Sequence, residues 1–120
     1  MVSLKYKISE TCYLFFSTLS NPTRLAILEL LREEPKNVTE ISTALNQEQS
    51  MISHSLRPLV RCGFVSVEKK WKERVYSINR ETMESLFRII DNHVEKYCPM
   101  KGKCLDLLRS GRKIGFEENR

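Results

Sequence analysis

The fold is decided by residues 49–65, with the sequence QSMISHSLRPLVRCGFV. Ile52, Leu56 and Leu59 recur at spacings of three and four, so they form one apolar face of a helix. The opposite face carries hydrogen-bonding and cationic side chains, which are Gln49, Ser50, Ser53, His54, Arg57 and Arg61. Such groups reach both the base edges and the phosphates of DNA. Gly63 provides the left-handed residue that ends many helices. The stretch therefore predicts a helix with one buried face and one face suited to DNA.

Three helical segments precede this stretch. The first covers about residues 8–19, and Asn21 caps the second, which covers about 22–33. The second segment is apolar nearly all round, which places it in the middle of a core. Asn37 opens a capping box at the start of a third helix, over about 38–45. The order is that of a helix-turn-helix unit, with a fourth helix over about residues 48–61 as its DNA-reading helix.

The hydrophobic period changes to two after Gly63. Residues 64–70 and 73–78 predict two short strands joined at Trp71 and Lys72, which indicates a β-hairpin. Four cations lie at its tip, namely Lys69, Lys70, Lys72 and Arg74. Trp71 either lies on a sugar-phosphate backbone or folds back on the core. A final helix over 80–97 carries a narrow apolar stripe of the kind that packs against another helix.

Composition bounds the class of protein. The chain has 120 residues, 41% of them hydrophobic, and a formal net charge of +5. Residues 48–78 alone hold six cations against three acids, so a phosphate-binding surface that weakens with salt is expected there. No apolar run is long enough to cross a bilayer, and the first residues lack the apolar segment of a signal peptide. We therefore expect a cytoplasmic protein without a membrane partner, whose four cysteines are thiols.

Two motifs carry a family resemblance. Residues 20–28, SNPTRLAIL, and residues 49–65 resemble the ArsR/SmtB family of small transcriptional repressors in order and spacing. The resemblance covers roughly residues 12–97. It implies a mainly α fold with a two-stranded β-wing, a winged helix-turn-helix, that dimerises through its first and last helices. It also implies that a homodimer presents two recognition helices to successive major grooves of double-stranded DNA.

The resemblance also suggests which residues act where. The expected DNA-binding residues are Gln49, Ser50, Ser53, His54, Arg57, Lys69, Lys70, Lys72 and Arg74. The expected dimer interface consists of Phe15, Phe16, Met83, Phe87, Ile90 and Val94. Residues 1–98 would form the DNA-binding and dimerisation domain, and residues 99–120 a cysteine-containing, partly disordered C-terminal extension.

Many members of this family lose DNA affinity on binding a metal ion, at one of two recurring sites. The first is a cysteine pair around the helix before the recognition helix, but this chain has no Cys or His between Val38 and Gln47. The second uses carboxylate and His ligands on the last helix, where only His93 falls near a matching position. Neither site is therefore expected in its usual form.

The remaining sensor candidate is a pair of thiols, Cys98 and Cys104, on either side of a segment with Pro and Gly. Nearby lysines lower thiolate pKa values and favour metal binding or oxidation. With Cys12 or His93 as a further ligand, the pair would suit Zn(II), Cd(II) or As(III). It could equally form a disulfide or be two ordinary thiols. Cys62 is expected to fill a buried apolar space.

Two alternatives to a metal- or redox-released repressor stay open at this stage. A constitutive regulator without an inducer has the same sequence features. A dimeric winged-helix interaction module without DNA binding is disfavoured by the acid-free helix face. An enzyme is not expected, because His93 and Cys98 lack an orienting acid and the chain has no Gly-rich phosphate loop.

Overall fold

The computed structural model describes residues 5–11 and 13–100. Their order of elements is α1 (Ile8–Thr11), α2 (Tyr13–Leu19), α3 (Pro22–Leu31), α4 (Val38–Leu45), α5 (Gln49–Arg61), β1 (Val65–Lys70), β2 (Glu73–Ile78) and α6 (Arg80–Tyr97). This arrangement confirms the mainly helical winged helix-turn-helix with a two-stranded wing. The segment predicted as one helix over 8–19 forms α1 and α2, on either side of Cys12, which lies outside the described residues.

Local capping sets the helix boundaries. The Asn21 side chain accepts a hydrogen bond from the Arg24 N–H at 3.0 Å and so starts α3. Asn37 and Glu40 form the predicted reciprocal capping box at the start of α4. Asn46 ends α4 in the left-handed conformation, and Gly63 follows α5 with φ of +80°. These caps place the turn between α4 and α5 and the entry into the wing.

The core lies between α3, α4, α5 and the base of the wing. Its fully buried members are Ile27, Leu28, Leu31, Ile41, Ile52, Leu56, Leu59, Phe64 and Met83. The Phe15 ring of α2 contacts the Phe64 ring edge to face, with centroids 4.9 Å apart. Packing between helices that are individually short therefore provides most of the stabilisation.

Cys62 differs from the expectation of an apolar filler. It is half-buried, and its Sγ lies 3.2 Å from Oγ1 of the buried Thr18 on α2. The thiol thus makes a polar contact between the end of α5 and α2, rather than filling a purely apolar space.

The wing is an antiparallel hairpin in the register Val65↔Ile78 to Lys70↔Glu73. Trp71 adopts φ of +58° in the two-residue loop between the strands. At the base of the wing, Lys36 and Tyr76 exchange two backbone hydrogen bonds, of 3.1 and 2.9 Å. The segment before α4 therefore adds a single bridge to the outer edge of β2.

The chain divides into two compact units within α6, one ending at Met83 and the other starting at Glu84. The helix-turn-helix and the wing belong to the first unit. The second unit contains most of α6, with Ile89, Ile90 and Tyr97 exposed. Among the helices of the described residues, none combines the length and apolar character needed to cross a membrane.

Candidate nucleic-acid interface

One face of helix α5 packs into the core, and the other face is exposed to solvent. Ile52, Leu56 and Leu59 are fully buried, and Ser55 between them is also buried. Of the predicted DNA-binding residues on α5, Gln49, Ser50, His54 and Arg57 are exposed and Ser53 is half-buried. Arg61 is exposed as well. The exposed side thus combines small hydrogen-bonding groups with two cations.

The turn before α5 fixes the direction of the helix. The Gln47 N–H donates to the Ser42 carbonyl at 3.1 Å, and the Ser42 hydroxyl donates to the Gln47 carbonyl. Gln49 Nε2 donates to Thr39 Oγ1 of α4 at 3.3 Å. Gln49 is therefore exposed but engaged with α4 through one N–H of its amide, which also has a second N–H and a carbonyl oxygen.

Met51 is an exposed residue of α5 that sequence reasoning did not single out. Its side chain is 52% exposed, although methionine is ordinarily a core residue. The signal was present in the sequence, because position 51 falls outside the stripe formed by Ile52, Leu56 and Leu59. An apolar side chain on this face suits contact with a thymine methyl group.

The wing carries the second group of cations. Lys69, Lys70, Lys72 and Arg74 are all exposed. Trp71 is 87% exposed, so the alternative in which it folds back on the core is wrong. The Lys72 ammonium lies 5.3 Å from the centre of the Trp71 ring, within cation–π distance. The tip therefore presents a flat aromatic surface beside a positive charge.

A groove of about 710 Å³ connects the two groups. Its walls are the C-terminal half of α5, the start of α4 and the inner side of the wing. Four cations line the groove, namely Arg57, Arg61, Lys72 and Arg74. Among its described lining residues, Glu73 is the one acid. Such a groove between low-dielectric walls concentrates positive potential and attracts a polyanion.

Asn79 and Lys36 make side-chain contacts near this surface that were not predicted from the sequence. Asn79 Nδ2 donates to the Gly63 carbonyl at 2.8 Å, so it fastens the end of the wing to the end of α5. Lys36, at the outer edge of the wing, forms an ion pair with Glu34 at 3.0 Å, and the hydrogen bond that its ammonium donates to this carboxylate raises the pKa of Lys36. The Asn79 contact joins segments 16 residues apart, which the local sequence pattern does not express, whereas the Lys36 contact is local.

Of the predicted sensor residues, His93 and Cys98 belong to the second unit and are described by the structure. Cys98 is half-buried just after α6, and its N–H donates to the Val94 carbonyl at 3.3 Å. His93 is exposed, with its ring 5.5 Å from the Tyr97 ring. Cys12 and Cys104 lie outside the described residues. Within residues 5–11 and 13–100, no three His, Cys, Asp or Glu side chains converge as metal ligands.

The predicted dimer-interface residues differ in exposure. Phe16 is 57% exposed and Ile90 is exposed, whereas Phe15, Phe87 and Val94 are half-buried. Met83 is 1% exposed, so its side chain belongs to the core of the chain and has no surface for a partner. The prediction of Met83 as an interface residue is corrected accordingly.

Comparisons with known proteins agree with this geometry. The sequence pattern described as "Bacterial regulatory protein, arsR family" matches residues 21–67. The HTH-type transcriptional regulator NmtR of Mycobacterium tuberculosis is 42% identical over 60 residues, half of each chain. A probable mercury resistance operon repressor of Streptomyces lividans is 32% identical over 69 residues, 58% of this chain and 55% of the repressor.

The uncharacterized HTH-type transcriptional regulator Rv0081 of Mycobacterium tuberculosis matches over a longer range. It is 32% identical over 98 residues, which cover 81% of this chain and 86% of Rv0081. Its crystal structure superimposes with a TM-score of 0.69 and 28% identity, over 76% of this chain and 92% of Rv0081. The chain therefore belongs to the ArsR family of helix-turn-helix transcriptional regulators.

Proposed function

We propose that this chain is a repressor that binds double-stranded DNA as a homodimer, with α5 in the major groove and the wing along the flanking backbone. The observation that carries the proposal is the groove that Arg57 and Arg61 of α5 line together with Lys72 and Arg74 of the wing. Base contacts fall to Gln49, Ser50, Ser53 and His54, and phosphate contacts to Arg57 and the four wing cations. In this role the chain regulates transcription by binding rather than by catalysis.

The homodimer is supported by exposed apolar side chains on two elements. Tyr13 and Phe16 on α2, together with Ile8 on α1, line an apolar hollow of about 340 Å³. Ile89 and Ile90 are exposed on α6. Large exposed apolar groups of this kind mark association surfaces in soluble proteins. We propose that Phe15, Phe16, Phe87, Ile90 and Val94 contribute to the interface between two copies.

Selection from a random duplex pool tests the proposed function. The protein is incubated with duplexes that contain a randomised region, and the retained duplexes are sequenced. A dimer that reads two half-sites should enrich an inverted repeat with centres about 10 base pairs apart or a multiple of that spacing. Binding of the selected duplex should weaken steeply as salt rises. Weak, salt-insensitive retention without an enriched sequence would favour the interaction module instead.

We further propose that a thiophilic ion, Zn(II), Cd(II) or As(III), releases the protein from DNA through Cys98 and Cys104. The proposal is supported by the half-buried thiol of Cys98 directly after α6 and by the likeness to a probable mercury resistance operon repressor. Cys12 or His93 would complete the ligand set. Residues 99–120 would then form an extension that carries the second thiol, after a domain of residues 1–98.

The reduced protein should bind about one such ion per chain, with the charge-transfer absorption of a metal thiolate. A Cys98→Ser/Cys104→Ser variant should lose this absorption and stay on DNA when the ion is added. Cys62→Ser, which changes a thiol outside the proposed site, is the control. Unchanged absorption in the double variant would exclude the pair, and a constitutive regulator or a disulfide switch would remain.

A further inference from the structure

The outer strand of the wing is attached to the segment before α4 at two points. The first is the pair of backbone hydrogen bonds between Lys36 and Tyr76 at the base of the wing. The second lies nearer the tip, where Asn37 Nδ2 donates to Glu73 Oε1 at 3.1 Å. We propose that Glu73 is a positioning residue that acts through Asn37 and holds the cations of the wing at a fixed place relative to α5. The inference deepens the proposed function and rests on it.

The chemistry of Asn37 suits this second attachment. Its Oδ1 accepts the Glu40 N–H at 2.8 Å and so caps α4, which leaves its amide NH₂ to donate elsewhere. Its own backbone N–H donates to Glu40 Oε1 at 3.0 Å. Asn37 is therefore fixed on the helix start by two bonds, and Glu73 is bound to a rigid element rather than to a loop.

The second attachment shortens the unsupported part of the wing. Glu73 is the first residue of β2 after the loop, paired with Lys70, while Tyr76 is buried further along the strand. Without the bond to Asn37, the attachment of β2 nearest to the wing tip would be at Tyr76 instead of Glu73. At about 3.3 Å per residue, this lengthens the free arm by about 10 Å. The cations Lys69, Lys70, Lys72 and Arg74 would all lie on that longer arm.

Glu73 is a poor candidate for direct contact with DNA. Its carboxylate lies in a groove whose charged lining is otherwise cationic, and it would repel a phosphate there. Its useful contribution is as a hydrogen-bond acceptor. Ordering a mobile arm on binding costs entropy, so an arm already held by Asn37 binds DNA more tightly than a free one.

Four variants distinguish the role of Glu73 as a hydrogen-bond acceptor from the effect of its negative charge. Glu73→Ala and Glu73→Gln both remove the charge, but only Glu73→Gln keeps a side-chain oxygen to accept from Asn37. Asn37→Ser changes no charge and retains a good N-cap for α4, while it removes the amide donor. Glu68→Ala removes an exposed acid from β1 of the same wing and is the matched charge control.

Trp71 reports the mobility of the wing without a label, because it is the one tryptophan of the chain and lies at the tip. Time-resolved fluorescence anisotropy of the full-length protein measures the amplitude of its fast motion. Glu73→Ala and Asn37→Ser should increase that amplitude, whereas Glu73→Gln and Glu68→Ala should match the wild type. Equal amplitudes in Glu73→Ala and Glu73→Gln would overturn the positioning role, and they would do so independently of DNA.

Binding to a fluorescein-labelled duplex of mixed sequence provides the second measurement. Glu73→Ala should bind about three- to tenfold more weakly than Glu73→Gln, the range expected from one net hydrogen bond. Asn37→Ser should weaken wild-type binding to a similar extent, and Asn37→Ser/Glu73→Ala should show no further loss beyond Glu73→Ala. Additive losses would overturn the proposal. A wild-type protein that binds no duplex would overturn the proposed function. The Trp71 measurement needs no DNA, so it distinguishes failure of DNA binding from failure of the positioning role of Glu73.

Discussion

Arg57 and Arg61 lie about one helical turn apart on the exposed side of α5, and no acidic partner is found for either among the described residues. Side chains in this situation contribute little to folding but are available to a polyanion. His54 shares the same exposed side. At the scale of the residue, Arg57, Arg61 and His54 are therefore exposed groups of the candidate interface rather than part of the core.

Arg57→Ala should reduce affinity for the selected duplex by about tenfold or more, since one phosphate or base contact contributes about 1–3 kcal/mol. The midpoint of urea unfolding should not change, because Arg57 is exposed. Arg88→Ala removes an exposed arginine of α6 and is the charge-matched control. If both variants lose affinity equally, general charge rather than α5 determines binding.

Thr18 and Cys62 form a contact between side chains 44 residues apart, at a sulfur–oxygen distance of 3.2 Å. Thr18→Val keeps the shape and removes the hydroxyl, so the free energy of unfolding should fall by about 1 kcal/mol. In a double-mutant cycle with Cys62→Ala, the two changes should be non-additive. Thr43→Val, at an exposed position, is the control and should change stability little. Additivity would show that the contact contributes nothing.

At the scale of the element, the sequence predicts best what local chemistry controls. The caps at Asn21, Asn37 and Gly63 follow from neighbouring residues alone, and all three are confirmed. The period-two pattern likewise predicts the hairpin. Contacts between distant segments were not predicted, because no local pattern encodes them. Examples are the hydrogen bonds from Asn79 to Gly63 and from Asn37 to Glu73. The burial of Met83 was missed for the same reason.

Gly63→Ala should destabilise the protein by about 1 kcal/mol, through the end of α5. A Cβ at this position meets no atom within 4 Å, so the loss comes from the backbone conformation, with φ of +80°. Gly63→Asn should lose less, because asparagine tolerates left-handed φ. Chemical denaturation of both variants measures the difference. Equal stability of Gly63→Ala and the wild type would contradict the conformational argument.

At the scale of the whole molecule, the proposed dimer combines two surfaces that each contain exposed apolar groups. The sequence predicted such a stripe on α6 and an apolar face on the first helix, but not which members are buried within one chain. Phe16, Ile89 and Ile90 are exposed, whereas Met83 is not. Hydrophobic periodicity alone cannot distinguish a core residue from an interface residue. The exposure of each side chain in the folded chain makes this distinction.

Phe16→Glu should convert the dimer to a monomer and reduce affinity for the two-half-site duplex by at least tenfold, because a charge would be buried at the interface. Light scattering after size-exclusion chromatography measures the assembly. Val67→Glu places the same charge at an exposed apolar position of the wing and should leave the assembly intact. A Phe16→Glu protein that remains dimeric would move the interface away from α2.

The buried and exposed faces of α5 have separate roles, and this separation has an evolutionary consequence. Ile52, Ser55, Leu56 and Leu59 anchor the helix in the core, whereas Ser50, His54 and Arg57 are exposed and take no part in that packing. After gene duplication, substitutions at positions 50, 54 and 57 can accumulate without loss of folding. Descendants of one ancestral regulator can thus acquire new target sequences on an unchanged scaffold.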